Sequence, residues 1–344
     1  MRPPAASVDM IDDSGDGGTP GGDDDAEELT YADAGVDIEA SEAATAALAG
    51  AVGDLDTTEY AGLLDIGDRY LALATDGVGT KLLVAEAVGE YSTVGIDCVA
   101  MNANDLVARG VDPVAFVDYL AVEEPDDATA QAIGEGLAAG AERAGMALVG
   151  GETAVMPEVI KGLDLAGACV GLAGKDDLID GDAEPGDALV GWASSGIHSN
   201  GLTLAREAVT RRHDYGDPFP GGGGTIGEVL LEPTRIYTDL LGPMREHGAR
   251  AAAHVTGGGW TNLERLGEAR YEITDPFDAQ PVFEFVQAEG SVSDVEMHRT
   301  FNMGTGFVAA LDPGSATALA EATGGHVVGE VRDGTGVSIR GLEL

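Results

Sequence analysis

Short apolar runs and helical repeats alternate along the first half of the chain. Leu71 to Ala74 reads as a buried strand, and Leu82 to Val88 as the start of a helix. Ile96-Asp97 leads into a helical pattern from Val99 to Ala108, closed by Arg109-Gly110 with glycine where helices commonly end. Val114 to Leu120 has the apolar and aromatic content of a strand. Asp126 or Asp127 then caps a helix running to about Ala144, with Ile133, Leu137, Ala141 and Ala144 on one face and Gly145 at its end. Met146 to Val149 is expected as a buried strand running into Gly150-Gly151-Glu152-Thr153, and Leu165 to Ala173 as a further strand. An Ala-rich helix over about Ile38 to Leu48 precedes all of these.

The polar run Gly174-Lys-Asp-Asp-Leu-Ile-Asp-Gly-Asp interrupts the pattern and marks a domain boundary. Beyond it, Asp187 to Trp192 is a strand delivering Ser194-Ser-Gly-Ile-His-Ser-Asn-Gly201 to a helix from about Leu202. Pro218 to Gly224 reads as a flexible surface loop. His254-Val-Thr-Gly-Gly-Gly-Trp260 is a Gly-rich turn before a helix, and Phe301 to Gly306 leads into the strand Phe307 to Leu311. The pattern predicts an α/β (α+β) protein with domains at 29–173 and 174–344, behind a disordered acidic tail over 1–28.

Charge narrows the setting. The chain has 344 residues, with 61 acidic against 18 basic side chains and a net charge of −43, so nucleic acid is excluded as a partner. With 44% apolar residues the chain has ample material for folded cores, and the acidity reads as adaptation to a halophilic cytoplasm, where screening suppresses self-repulsion. Thermal stability is therefore expected to rise from low to molar KCl; a flat melting curve series would remove this reading. Cys98 and Cys169 are the only cysteines, in apolar surroundings and without metal-site spacing, which fits a reducing compartment. No run approaches the roughly 20 apolar residues of a membrane span, and 1–28 lacks the apolar core of a signal peptide.

The chemistry concentrates in a few loops. Asp76-Gly77-Val78-Gly79-Thr80-Lys81 presents a carboxylate, two flexible glycines, a hydroxyl and one of three lysines, the parts of a nucleotide-phosphate and Mg²⁺ site. It is neither a P-loop, since Thr80 precedes the lysine and Leu82 follows it, nor a Rossmann turn, since Leu82 stands where the third glycine belongs. Asp76, Asp97, Asp105 and Glu152 lie among apolar neighbours, unlike the acids of the solvated runs, and Mg²⁺ prefers such hard oxygen ligands. Asn102 and Asp105 share a helix face, while Asp97 could equally be a helix cap. His198, with Ser195 and Ser199, suits an anion-binding turn before a helix, or Ser199 or Asn200 caps that helix beside a bystander histidine. A Ser/His nucleophile is disfavoured because no Gly-x-Ser-x-Gly is present. His254 stands beside a glycine triplet that can approach phosphate or permit tight packing.

Six blocks occur together and in order: Thr75–Lys81, Gly95–Asp105, Leu148–Ala154, Ser194–Gly201, His254–Gly259 and Arg299–Gly304. In them the chain, from about Leu29 to Leu344, resembles the phosphoribosylformylglycinamidine cyclo-ligase (AIR synthetase) family. The resemblance implies a two-domain AIR-synthetase-like fold of the PurM type, in a homodimer whose N-terminal sheets pair into a barrel with ATP in a cleft near the interface. It implies that ATP and formylglycinamidine ribonucleotide give aminoimidazole ribonucleotide (AIR), ADP and phosphate. It places Asp76, Asp105 and Glu152 at Mg²⁺–ATP with Asp97 and Asn102 beside them. Thr80, Lys81 and the Gly77, Val78 and Gly79 backbone, with Gly150 and Gly151, would face the nucleotide. His198 and His254 would lie by substrate phosphate or the reacting centre, with Ser195, Ser199 and Asn200 as donors. The sequence departs from the family pattern at Glu59 to Asp68, where a Gly-Gly-Phe-Gly-type segment is common, and at His298, where tyrosine is usual. Selenophosphate synthetase, thiamine-monophosphate kinase, the amidotransferase of the preceding purine step and a catalytically silent nucleotide-binding relative are the alternatives. No cysteine precedes Cys98, which speaks against the first.

Overall fold

A computed structural model describes residues 29–35, 38–52 and 60–344; the tail 1–28 and Glu59 lie outside them. Helix α1 (Ile38–Val52) leads to β1 (Gly62–Asp65) and β2 (Arg69–Gly77), then α2 (Lys81–Val88), α3 (Ser92–Ala108) and β3 (Asp112–Val122). Helix α4 (Asp127–Ala144), β4 (Ala147–Val155) and β5 (Leu163–Gly174) complete the first unit. Its five strands pair in the order β1-β2-β5-β3-β4, antiparallel except for β3 with β4. The second unit is a seven-stranded sheet in the order β12-β11-β8-β10-β6-β9-β7. Its strands are β6 (Ala188–Ala193), β7 (Ala251–His254), β8 (Arg270–Ile273), β9 (Thr305–Leu311), β10 (His326–Arg332), β11 (Gly336–Ile339) and β12 (Leu342–Glu343). The mixed α/β architecture matches the sequence pattern in both halves.

Helix α3 is the centre of the molecule, packed on β2, β5 and β3, against α4, and against β7 of the second sheet. Glycine makes this possible: a Cβ on Gly95 would lie 2.4 Å from the Leu137 backbone nitrogen of α4, and one on Gly136 would lie 2.1 Å from the Ser92 oxygen. Gly95 therefore sits inside the helix, which begins at Ser92, and Asp97 lies in its second turn rather than at an N-cap. Helix α4 is capped as the sequence indicates, with Asp126 accepting from the Thr129 N–H and Gly145 in the left-handed conformation.

Only one face of the first sheet is covered by helices. The alternation of β5 buries Leu165, Gly167, Cys169, Gly171 and Ala173 against α3, while Leu64, Leu73, Val117 and Tyr119, in register on the other face, are exposed. Strand β4 is an edge strand, so Met146 to Val149 is not the buried strand expected: Val149 is 63% exposed. Gly150 to Thr153 continue that strand. Residues 29–35, grouped with the first domain on sequence, dock on the second: Leu29 joins its core beside Gly290, and the Tyr31 N–H donates to Glu296 Oε1 at 2.7 Å.

Candidate active site at the domain junction

Asp76 is the penultimate residue of β2 and points to the helix-covered face, in one row with Gly167 of β5, Asp118 of β3 and Gly151 of β4. Asp105, on α3, stands close enough to act on it electrostatically. Burial first, then the Asp105 charge, pushes the Asp76 carboxyl up to about 6, against the Gly77 N–H that donates to Asp76 Oδ1 at 2.7 Å. Burial likewise raises Asp105, offset by His254 and by Arg265. Asn102 is wholly buried between them, donating to the Asp76 carbonyl at 3.2 Å and to the Cys98 carbonyl at 2.8 Å. Its Oδ1 receives no hydrogen bond from the described residues.

Glu152 is not brought to this pair within one protomer. It shares a row with Tyr119, Ala166 and Gly77, which puts it on the opposite, open face of the sheet, because strand side chains alternate and Asp76 is one step out of phase. Among the described residues no three His, Cys, Asp or Glu side chains converge as a metal cage. The residues that sequence reasoning missed include Asp118, a single acid in the apolar run of β3. Burial raises its carboxyl, and a Cβ on Gly151 would fall 2.2 Å from its Oδ1, so glycine makes room for it.

Both histidines are internal. His254, at the end of β7 and inaccessible to solvent, has Nδ1 3.2 Å from Asp105 Oδ1 and Nε2 3.3 Å from Asn104 Nδ2. Since an amide NH₂ only donates, Nε2 is the acceptor and Nδ1–H points at the carboxylate. Both ring nitrogens of His254 are thus turned to Asp105 and Asn104. His198, in the left-handed region at φ 67°, accepts the Ser195 N–H at Nε2 (3.1 Å). Its buried Nδ1 has no partner among the described residues, and burial followed by the neighbouring basic side chains of His254, Lys81 and Arg235 holds the ring well below its ordinary pKa, in the neutral form. Ser195 Oγ donates to the Pro233 carbonyl at 2.6 Å, Ser199 Oγ lies 3.3 Å from Thr234 Oγ1, and Asn200 Nδ2 is 3.8 Å from Met101 Sδ. The turn is held from behind by Asn302, which donates to the Gly196 and Ile197 carbonyls.

In the Asp76–Lys81 turn, Val78 is buried with its N–H on the Leu165 carbonyl, and Gly79 adopts φ 68° with open space around it. Thr80 Oγ1 lies 2.9 Å from Thr203 Oγ1 of the second domain. Lys81, expected to face phosphate, instead points inward with zero accessibility, its Nζ 2.8 Å from Asp97 Oδ2 and donating to the Glu232 carbonyl at 2.6 Å. Desolvation pulls its ammonium below the ordinary value, against the raising effect of Asp97. Gly150 stands in open space on β4.

A cavity of about 590 Å³ opens on the same sheet face, lined among others by Leu120, Val122, Thr153, Leu163 and Tyr91. Leu120 and Thr153 are two residues along their strands from Asp118 and Gly151, about 7 Å from the acid row. Across the junction, the Tyr60 hydroxyl donates to the His254 carbonyl at 3.2 Å beneath the Arg265 guanidinium, which stacks 4.8 Å above its ring. Tyr60 occupies the segment that departs from the family pattern. His298 is held on its own helix by a 2.7 Å contact to the Asp294 carbonyl, away from these groups.

Two mixed sheets joined through one helix, with an acid pair and Gly-rich turns at the junction, define a two-domain AIR synthase related protein. Residues 58–173 match the N-terminal domain of that family and residues 184–341 its C-terminal domain. The chain is 46% identical over 328 residues to phosphoribosylformylglycinamidine cyclo-ligase of Methanococcoides burtonii, covering 92% of this chain and 98% of that protein. It is 48% identical over 299 residues to the protein of the same name from Thermococcus kodakarensis, covering 82% and 87%. The chain belongs to the phosphoribosylformylglycinamidine cyclo-ligase family. Among solved structures, AaThiL complexed with AMPPCP and TMP superposes with a TM-score of 0.66 at 14% identity, covering 90% of this chain and 96% of that one. T. maritima PurL complexed with FGAR gives 0.57 at 20% identity, over 83% of this chain and 46% of that one. At these identities the likeness is one of fold.

Proposed function

We propose that this chain closes the imidazole ring of AIR from formylglycinamidine ribonucleotide at the expense of ATP, in purine biosynthesis, as a cytoplasmic homodimer in a salt-rich cell. The observation that carries the reading is the near-complete match to cyclo-ligases together with the partly buried Asp76–Asp105 pair inside the matched blocks. The formyl amide oxygen takes the γ-phosphoryl group and ADP departs; the amidine nitrogen then bonds to the formyl carbon and the oxygen leaves as phosphate. Mg²⁺ fits the donor set: two partly buried carboxylates that repel one another and an unpartnered amide oxygen at Asn102 are hard ligands that a cation would draw together. Asp76, Asp105 and Asn102 would hold it, with the remaining ligands from phosphate and water, and it would neutralise charge on the transferring phosphoryl group.

The chain's own groups do the positioning. The backbone N–H groups of Gly79 and Thr80 are placed to approach phosphate, those of Gly77 and Val78 being engaged by Asp76 and Leu165, and the adjoining cavity suits the nucleoside. His254 fixes the Asp105 carboxylate, and neutral His198 shapes the Ser195–Asn200 turn on the substrate side. The homodimer would bury the open sheet face carrying Leu64, Leu73, Val117 and Tyr119. Glu152 faces that surface, so its part at the nucleotide would be played at the dimer interface. Incubation of the purified protein in molar KCl with formylglycinamidine ribonucleotide, Mg²⁺ and ATP is expected to yield AIR. A folded dimer that forms none would overturn the reading.

A further inference from the structure

The one lysine of the phosphate turn is used up inside the protein. Lys81 Nζ donates to Asp97 Oδ1 at 3.0 Å and to the Glu232 carbonyl at 2.6 Å, and lies 2.8 Å from Asp97 Oδ2 as an ion pair. Asp97 in turn reaches the same segment of the second domain, its Oδ1 accepting from the Thr234 N–H at 2.8 Å and the Thr234 hydroxyl at 2.6 Å. Both charges are wholly buried, and both grip residues 232–234.

That segment is the backing of the Ser195–Asn200 turn. Ser195 Oγ bonds the Pro233 carbonyl, Ser199 Oγ meets Thr234 Oγ1, and the Glu232 Cβ lies 3.4 Å from where a Cβ on Gly196 would stand. A short chain of contacts thus runs from the residue after Thr80, through the ion pair, to the loop that carries His198. An apolar pair of similar volume could fill the space, but it would not fix direction; a charged pair whose Asp97 Oδ1 takes the Lys81 and Thr234 donors sets one register between the two walls of the site.

We propose that Lys81 and Asp97 are positioning residues, a latch holding the phosphate turn of the first domain in register with the Ser195–Asn200 turn of the second, and that Lys81 makes no phosphate contact. The inference rests on the cyclo-ligase reading for what the two walls do. Loss of the latch leaves the nucleotide's own contacts in place and displaces the second substrate's wall, and displacements of about 1 Å cost roughly 100-fold in rate.

The test compares Lys81→Met, Asp97→Asn and the double variant with the wild type, at temperatures where each is folded, by AIR formation and by calorimetric MgATP binding. Each single variant is expected to lose about 100-fold in kcat with MgATP affinity within about threefold of wild type. The double variant is expected to be no worse than the worse single one, because both remove one unit. A more than tenfold loss of MgATP affinity in Lys81→Met alone, or additive losses in kcat, would overturn the latch. Should a single variant fail to fold, the double variant, which leaves neither charge unpaired, decides by the same affinity and kcat measurements. The affinity arm needs no ring closure, so a wild type that binds MgATP without making AIR would count against the cyclo-ligase reading and not against the latch.

Discussion

Asp76→Asn is expected to lower turnover by about 10²–10³-fold while the protein folds as well as wild type or better. Both halves of that expectation come from one arrangement. The carboxylate is largely desolvated beside a second carboxylate, and the two charges repel. Such a group costs stability when the site has no cation and is needed when one arrives. Asparagine keeps the shape and the Gly77 contact as an acceptor, and removes the charge.

The pH dependence follows with a definite sign. Burial and Asp105 move the Asp76 carboxyl from its ordinary 3.8 to about 6 in the folded protein, so between those values the native state binds more protons than the unfolded chain. Stability of the cation-free protein therefore falls as pH rises through that window, by roughly 3 kcal/mol for this group. Melting curves from pH 4 to 7.5 without divalent cations should show the wild type losing stability relative to Asp76→Asn, and Mg²⁺ should narrow the gap at the upper end. Parallel curves, or near-normal turnover in the variant, would remove Asp76 from the metal-facing site.

How much of this was legible in the sequence depended on whether the signal was local. The helix from Asp127 to Ala144 could be read because its cap, its apolar stripe and its terminal glycine are all written within it. The acid at Asp76 could be suspected because it follows an apolar strand. Lys81 misled because a lysine after two glycines is the usual dress of a phosphate loop, whereas its partners are an aspartate 16 residues on and a carbonyl 151 residues away. The face that Glu152 takes was hidden for a different reason: Gly150 and Gly151 lie within a strand, and which face the next residue takes depends on register with β3. His254 stands beside glycines that invite a ligand, yet its partners, Asn104 and Asp105, sit side by side on a helix about 150 residues earlier. Asp118 was visible as an acid in an apolar run and carried a signal that went unused.

A glycine inside a helix carries the largest stability effect expected. Gly95→Ala should destabilise the protein by at least about 3 kcal/mol, even though alanine is the better helix former by about 1 kcal/mol at an unhindered position. The added methyl would stand 2.4 Å from the Leu137 nitrogen, 2.5 Å from the Ile133 oxygen and 2.7 Å from the Gly136 carbonyl carbon, all backbone atoms of α4 that cannot turn aside as a side chain could. Relief requires α3 and α4 to move apart, and Gly136 closes the same contact from the other side against the Ser92 oxygen. Moving α3 moves Asp97, Asn102, Asn104 and Asp105 together, so the acid pair, the His254 contacts and the grip on Thr234 are disturbed by one methyl group that touches none of them. The variant should therefore melt on the order of 5–10 °C lower and lose kcat beyond what its folded fraction explains. Gly134→Ala, one turn away on α4 where nothing stands within 4 Å of the new methyl, should melt at or above the wild-type temperature with unchanged turnover. Equal behaviour of the two variants in melting and in assay would mean that the close crossing of α3 and α4 does not set the position of the site.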